Sequence, residues 1–347
     1  MTEVGAVPTM MWAAVMPEMG KIDIVQIPTP DVAADEVLVQ VASVGICGSD
    51  VHYYKEGRIG DFIVEKPLIL GHELSGTIVA VGADVDPARV GERVAIEPQR
   101  CCRVCHYCKT GRYNLCPEME FYATPPIDGA FCEYVTIQHD FAHPIPDDMS
   151  FDAAALLEPL SVGIAAIRKA RFEPGGSILI AGGGPIGIVT AQVARAYGAT
   201  RVIISEMHEG RRELALKLGA TEVYDPRDPA FADGRADSFI DCSGATSAII
   251  DGLMKTNPNG AVVLVGMGAD TIPLPVGPVA NQELNVTGIF RYTTTWPLGI
   301  RLVEAGLIDL ESLVTDIYRL DQAEAALVDP PGPLSLKRVV RPTEIEH

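Results

Sequence analysis

Positive charge is what this sequence is short of. Lysine and arginine number 27 against 46 aspartates and glutamates, leaving a formal net charge of −19. A field of that sign repels nucleic-acid phosphates and anionic lipid surfaces, so neither nucleic acid nor membrane is expected as a partner. The acidity names no substrate, because it also serves solubility. Also missing is an uninterrupted apolar run long enough to span a bilayer. The first basic residue is Lys21, and Glu3 precedes the first apolar stretch. No secretory leader is therefore expected, and the cytoplasm is the default compartment. Neither an internal repeat nor a low-complexity linker interrupts the chain.

What remains is ordinary for a folded chain of 347 residues, 48% hydrophobic and 21% charged. That length implies two domains, joined directly. Eight cysteines in a reducing compartment are read as metal ligands or buried packing before disulfides.

The first half reads as short strands broken by Gly and Pro. Glu36-Val-Leu-Val-Gln-Val-Ala-Ser-Val, Gly76-Thr-Ile-Val-Ala-Val and Glu92-Arg-Val-Ala-Ile-Glu have strand length and strand composition. They suggest an all-β, barrel-like unit. After about Pro159 the pattern changes to alternating β and α elements. Ser177-Ile-Leu-Ile-Ala, Arg201-Val-Ile-Ile-Ser-Glu, Asp237-Ser-Phe-Ile-Asp-Cys and Ala261-Val-Val-Leu-Val are buried strands with helical segments between them. Such alternation implies a parallel, doubly wound sheet, so the fold class is α/β. From about Thr294 the chain turns helical and irregular.

Gly182-Gly-Gly184-Pro-Ile186-Gly187 matches GxGxxG between a strand and a helix. In that context Gly182 permits the tight turn and Gly184 lets a pyrophosphate approach the backbone. Gly187 lets the helix pack on the strand, and the helix N-terminus attracts phosphate. Glu206 closes the next strand, about 20 residues beyond Gly187. An acid there accepts hydrogen bonds from ribose hydroxyls and repels a 2′-phosphate, which favours NAD over NADP. Arg211, nearby, weakens that preference.

Two sets of residues have the chemistry of zinc ligands. Cys102, Cys105, Cys108 and Cys116 lie within one short loop segment. Four thiolates can close a tetrahedral shell with no open position, so this site is structural rather than catalytic. The second set is scattered: Cys47 at the end of a strand, His72 and Glu73 in Gly71-His-Glu-Leu, and Glu158 in Leu157-Glu-Pro-Leu-Ser. A thiolate, an imidazole and one or two carboxylates hold zinc while leaving a position for substrate. Spacing alone does not bring them together. Packing roles for Cys47 and His72 and a surface position for Glu158 fit the sequence equally well.

Taken together these motifs resemble the zinc-containing medium-chain dehydrogenase/reductase family, most closely its polyol branch of sorbitol and xylitol dehydrogenases. The resemblance runs from about Trp12 to the C-terminal region. It is most specific in Gly45 to His52 with Gly71-His-Glu, in Phe121-Tyr-Ala-Thr-Pro-Pro-Ile-Asp-Gly, and in Leu157-Glu-Pro-Leu-Ser-Val-Gly. It implies a GroES-like β-barrel catalytic domain over 1–160, completed by 295–347, and a Rossmann NAD-binding domain over 161–294. It also implies one catalytic and one structural zinc per chain. The catalytic zinc falls to Cys47, His72 and either Glu73 or Glu158, the structural zinc to the four loop cysteines.

On the same resemblance Ser49 and His52 form a proton relay. Tyr53, Phe121, Thr124, Arg291 and Tyr292, with Glu158, line the substrate pocket, although Phe121 suits plain core packing as well. Val265, Gly266 and Met267 run beside the nicotinamide ribose, and Ile289 and Arg291 stand at the nicotinamide end. Asp50 is expected to be a turn acceptor outside the site. The implied activity is NAD-linked oxidation of a secondary hydroxyl of a polyol to a ketose, in a homo-oligomer, tetramer or dimer. The nearer rival is a butanediol or threonine dehydrogenase of the same family, and the remoter one a catalytically idle binding protein on the same fold.

Overall fold

The computed structural model describes residues 7–228, 231, 234–330, 332 and 334–345. The leader expectation rests in part on Glu3, which lies outside the described residues. The chain forms two compact units. One comprises Met1–Glu158, Leu310–Pro331 and Lys337–His347, the other Pro159–Asp309 and Gly332–Leu336.

In the first unit the central strand is Glu36–Gly45, rich in valine and buried along nearly its whole length. One edge pairs antiparallel with Glu73–Val81. The other edge changes partner partway along. Tyr134–Gln138 pairs from Gln40 back to Glu36, and Lys337–Arg341 takes over at Val44 and Gly45. Two irregularities in the Glu73–Val81 pairing, between Leu38 and Val39 and between Val41 and Ser43, add local twist. A strand with three partners and a bulged ladder curls the sheet into the barrel-like form. Arg93–Ile96 and Ala142–Pro144 extend it on one side and Val314–Arg319 on the other. The consequence for function lies at Gly45, which faces Glu73 on one side and Val339 on the other.

The second unit is a six-stranded parallel sheet. Its order is Glu222–Tyr224, Arg201–Ser205, Ser177–Ala181, Ala236–Asp241, Thr256–Leu264, Asn285–Gly288. Numbered along the chain this is 3-2-1-4-5-6, the doubly wound arrangement that binds dinucleotides. The middle strands are buried on both faces, as parallel strands covered by helices must be. Helix Pro185–Ala196 begins with proline in its first turn, where the missing N–H is not needed. Among the described residues no helix is long and apolar enough to cross a membrane.

Residues 295–309 group with the second unit, not with the first as the sequence suggested. Trp296 is fully buried at the start of helix Trp296–Glu304 and packed edge-on against Tyr292 with ring centroids 4.8 Å apart, and Gln192 both donates to and accepts from the Asp309 backbone. Replacing Trp296 by Ala should cost about 3–5 kcal/mol in that unit. Denaturant unfolding followed by circular dichroism measures the loss. The one remaining tryptophan, Trp12, sits on a strand of the first unit and reports that unit by fluorescence. Its transition should move less than the circular-dichroism transition.

Candidate metal and cofactor sites

Cys47 caps helix Gly48–Glu56, just past the end of the central strand. Asp50, three residues on, closes the cap, its Oδ2 accepting the Cys47 N–H at 2.9 Å. The other oxygen, Oδ1, accepts the Gly71 N–H at 2.9 Å and stands 3.6 Å from His72 Nδ1. One buried carboxylate thus fixes the Cys47 turn and the His72 turn together. Burial alone would raise the Asp50 carboxyl, but His72 and the two N–H groups outweigh it and hold it below the usual carboxylate range. Burial works against a charged His72, yet Asp50 and Cys47 hold its proton well above the ordinary histidine range. The pocket therefore favours positive charge at this point.

Cys47 Sγ, a His72 ring nitrogen and a Glu73 carboxylate oxygen all lie within 4.8 Å of one another. Glu73 is fully buried. Its Oε1 accepts from Lys337, while Oε2 has no hydrogen-bond partner. An orphaned carboxylate oxygen beside a thiol and an imidazole is costly unless a cation completes the group. Three donors of S, N and O type fit zinc with one position open. Gly45 makes room for this arrangement, since a Cβ there would stand 2.2 Å from Glu73 Oε2.

The remaining expected residues take varied positions. Glu158 is buried in the first turn of helix Leu157–Ala170 and adds to the negative field at Lys337, but it is not one of the three clustered donors. Ser49 is half-buried in the first turn of the Cys47 helix. His52 follows on that helix, its Nε2 3.2 Å from Glu56 Oε2. Tyr53 is buried, and the Phe121 ring lies 5.5 Å from His72, walling the cluster. Thr124 sits in the turn after strand Glu120–Phe121, bridged to Ile127. In the second unit Arg291, at φ 55°, holds its guanidinium over the Phe290 ring, and Tyr292 is in the core against Trp296. Asp50 and Lys337 were missed as site residues. The capping distance from Cys47 signals Asp50, whereas nothing local signals Lys337.

The four loop cysteines converge fully, with all four sulfurs within 4.8 Å of one another. Backbone N–H groups already point at the sulfurs: Cys105 N at Cys102 Sγ (3.3 Å), Cys108 N at Cys105 Sγ (3.4 Å) and Cys102 N at Cys116 Sγ (3.5 Å). The Val104 and Cys105 amides pull the Cys102 thiol down to about 7, while burial pushes Cys108 and Cys116 up. Amides aimed at sulfur stabilise thiolate, the form that binds metal. The set fits a closed zinc shell, and Cys101, buried beside it, is not one of the four.

In the second unit the glycine loop joins strand Ser177–Ala181 to helix Pro185–Ala196. Gly187 admits no side chain, because a Cβ would stand 1.9 Å from Gly182 O. Half-buried Ile186 lies between them. A cavity of about 430 Å³ opens at the carboxyl ends of the strands, lined by Gly182, Ser205, Glu206, Tyr224, Arg227 and Ser243 among others. That is where a doubly wound sheet binds its ligand. Glu206 is fastened there, accepting Gly183 N–H at 2.9 Å and His208 N–H at 2.8 Å. The cation lining the cavity is Arg227, paired with Asp225, and not Arg211, which lies on the following helix. Val265 and Gly266 both donate to Asp241 O at 3.0 Å, Met267 is exposed, and Ile289 N–H donates to Leu264 O at 3.2 Å.

A GroES-like barrel bearing an S, N, O donor cluster, together with a dinucleotide-binding sheet, defines a zinc-dependent, nicotinamide-linked dehydrogenase. Comparison with known proteins agrees. Residues 33–147 match the alcohol dehydrogenase GroES-like domain and residues 185–305 match zinc-binding dehydrogenase. Over 330 residues the chain is 44% identical to the sorbitol dehydrogenase of Bacillus subtilis, covering 92% of this chain and 94% of that protein. It is 38% identical over 325 residues to D-xylulose reductase A of Aspergillus oryzae, covering 90% and 91%. A solved Escherichia coli structure, described as a short chain alcohol dehydrogenase complexed with NADH, matches with a TM-score of 0.90 at 26% identity. That match covers 96% of this chain and 100% of that one. The chain belongs to the zinc-containing medium-chain dehydrogenase/reductase family, in the branch of the polyol dehydrogenases.

Two outcomes follow from the geometry. Cys105→Ser should remove one of two zinc atoms per chain, measured by metal analysis, and lower the melting temperature. Glu206→Ala should weaken NAD binding about 10-fold or more by calorimetry, because the change frees the Gly183 amide as well as removing a charged acceptor. Hydrogen exchange at Gly183 should quicken in the same variant.

Proposed function

We propose that this protein oxidises a secondary hydroxyl of an acyclic polyol, such as sorbitol or xylitol, to the ketose while reducing NAD. The observation that carries the reading is the convergence of Cys47, His72 and Glu73 donors around an unsatisfied buried oxygen. Zinc held there is a Lewis acid that eases loss of the substrate's hydroxyl proton near neutral pH.

The chain's own residues do the rest. Asp50 orients His72 and anchors the Cys47 turn. Ser49 and His52 carry the released proton to solvent, since a hydroxyl and an imidazole both donate and accept. Gly182, Gly184, Ile186 and Gly187 would hold the dinucleotide, which when bound would supply the acceptor for the carbinol hydride. Glu206 takes the adenosine ribose hydroxyls, with Arg211 and Arg227 as the cations nearby. Val265, Gly266, Met267 and Ile289 serve the nicotinamide half. Glu158, Tyr53, Thr124, Arg291 and Tyr292 serve the polyol's other hydroxyls, with Phe121 as an apolar wall. Cys102, Cys105, Cys108 and Cys116 hold the structural zinc. The protein works in the cytoplasm as a homo-oligomer, a tetramer or a dimer, which light scattering resolves.

Steady-state assays with NAD and NADP across sorbitol, xylitol, butanediol and threonine test the reading. Polyol turnover with NAD, abolished by chelation, is expected. No turnover of any polyol rejects the substrate class, and butanediol or threonine turnover alone reassigns it. Cys47→Ser should lower kcat/KM more than about 100-fold while leaving the melting temperature close to wild type.

A further inference from the structure

Strand Lys337–Arg341 brings a buried ammonium to the metal cluster. Lys337 is 3% exposed and Glu73 is 0% exposed. Lys337 Nζ donates to Glu73 Oε1 and, at 3.0 Å, to the carbonyl of Ile46, the residue before Cys47. The register explains the reach. Glu73 and Val339 flank Gly45 from opposite sides, and Lys337 is two residues from Val339, on the same face of its strand. Around the ammonium stand the carboxylates of Glu73 and Glu158 and the Cys47 thiol.

The effect of Lys337 on the cluster is specific. Glu73 has two oxygens. One is held by Lys337, and the other alone is unpartnered and free for a metal. We propose that Lys337 is a positioning residue that holds Glu73 by one oxygen, restricting it to a single, weakened metal bond so that the catalytic zinc stays open to substrate. The inference rests on the assignment of Cys47, His72 and Glu73 to the metal.

The test uses the zinc-loaded full chain. Transfer of the catalytic zinc to a chromogenic chelator is timed, with the zinc of the cysteine lobe counted as a separate phase. The electronic spectrum after cobalt exchange reports the carboxylate's engagement. Lys337→Met should slow release of the catalytic zinc and shift the cobalt spectrum, because the carboxylate is freed from a competing ammonium; an ordinary supporting partner gives the opposite sign, its loss lowering metal affinity about 10-fold or more. kcat should fall with little change in KM, and Lys337→Arg should restore all three readouts.

A double-mutant cycle separates action through Glu73 from bulk charge. In the Glu73→Gln background, where no unpaired carboxylate is left if the single Lys337 variant fails to fold, Lys337→Met should leave zinc release unchanged. A change there equal to that in the wild-type background overturns the proposal, as does unchanged release and spectrum in a folded Lys337→Met. Wild-type protein carrying zinc only in the cysteine lobe rejects the metal assignment itself, a distinct outcome.

Discussion

Placing several acidic groups out of water in one small space is unfavourable unless positive charge is placed among them. The first unit depends on that constraint. Asp50, Glu73 and Glu158 are all buried, and the Cys47 thiol stands with His72 and Glu73. His72 and Lys337 answer part of the charge, and a divalent cation answers the rest. The barrel's strand pairings can be read as the means of meeting this requirement. The central strand ends at Gly45, where two neighbouring strands supply the acid and the base from opposite sides.

The same economy of polar groups recurs elsewhere. Asp50 accepts from two turns and faces an imidazole. In the second unit Glu206 ties the glycine loop to the strand end that carries it, and Asp241 accepts from Ser243 and Gly244 in the neighbouring crossover. The cysteine lobe is organised by its own amides. In each place a side chain that faces a ligand is also the one that shapes the backbone around it. Binding surfaces of this kind are preorganised, with little left to order on ligation.

Much of this was legible in the sequence because the signals are local. Strand runs, the glycine loop with its following acid, and four closely spaced cysteines each carry their meaning within some twenty residues. The scattered donors were legible as residue types but not as a group, since Cys47, His72 and Glu158 lie on separate elements whose meeting only strand register determines. The choice between Glu73 and Glu158 was illegible for that reason, and the convergence puts Glu73 among the three clustered donors. Arg211 was the natural cation by proximity along the chain, yet the turn after strand Glu222–Tyr224 brings Arg227 to the cavity instead. The span 295–309 groups with the second unit through separate contacts, Trp296 on Tyr292 at one end and Gln192 bonded to Asp309 at the other, which no composition change marks.

The partnership of Lys337 with Glu73 joins residues 264 positions apart. During synthesis on the ribosome, the thiol, the imidazole and the acid all emerge long before the base that tempers them. The pair that ties the base to the acid therefore forms only once the closing strand has been threaded into the sheet.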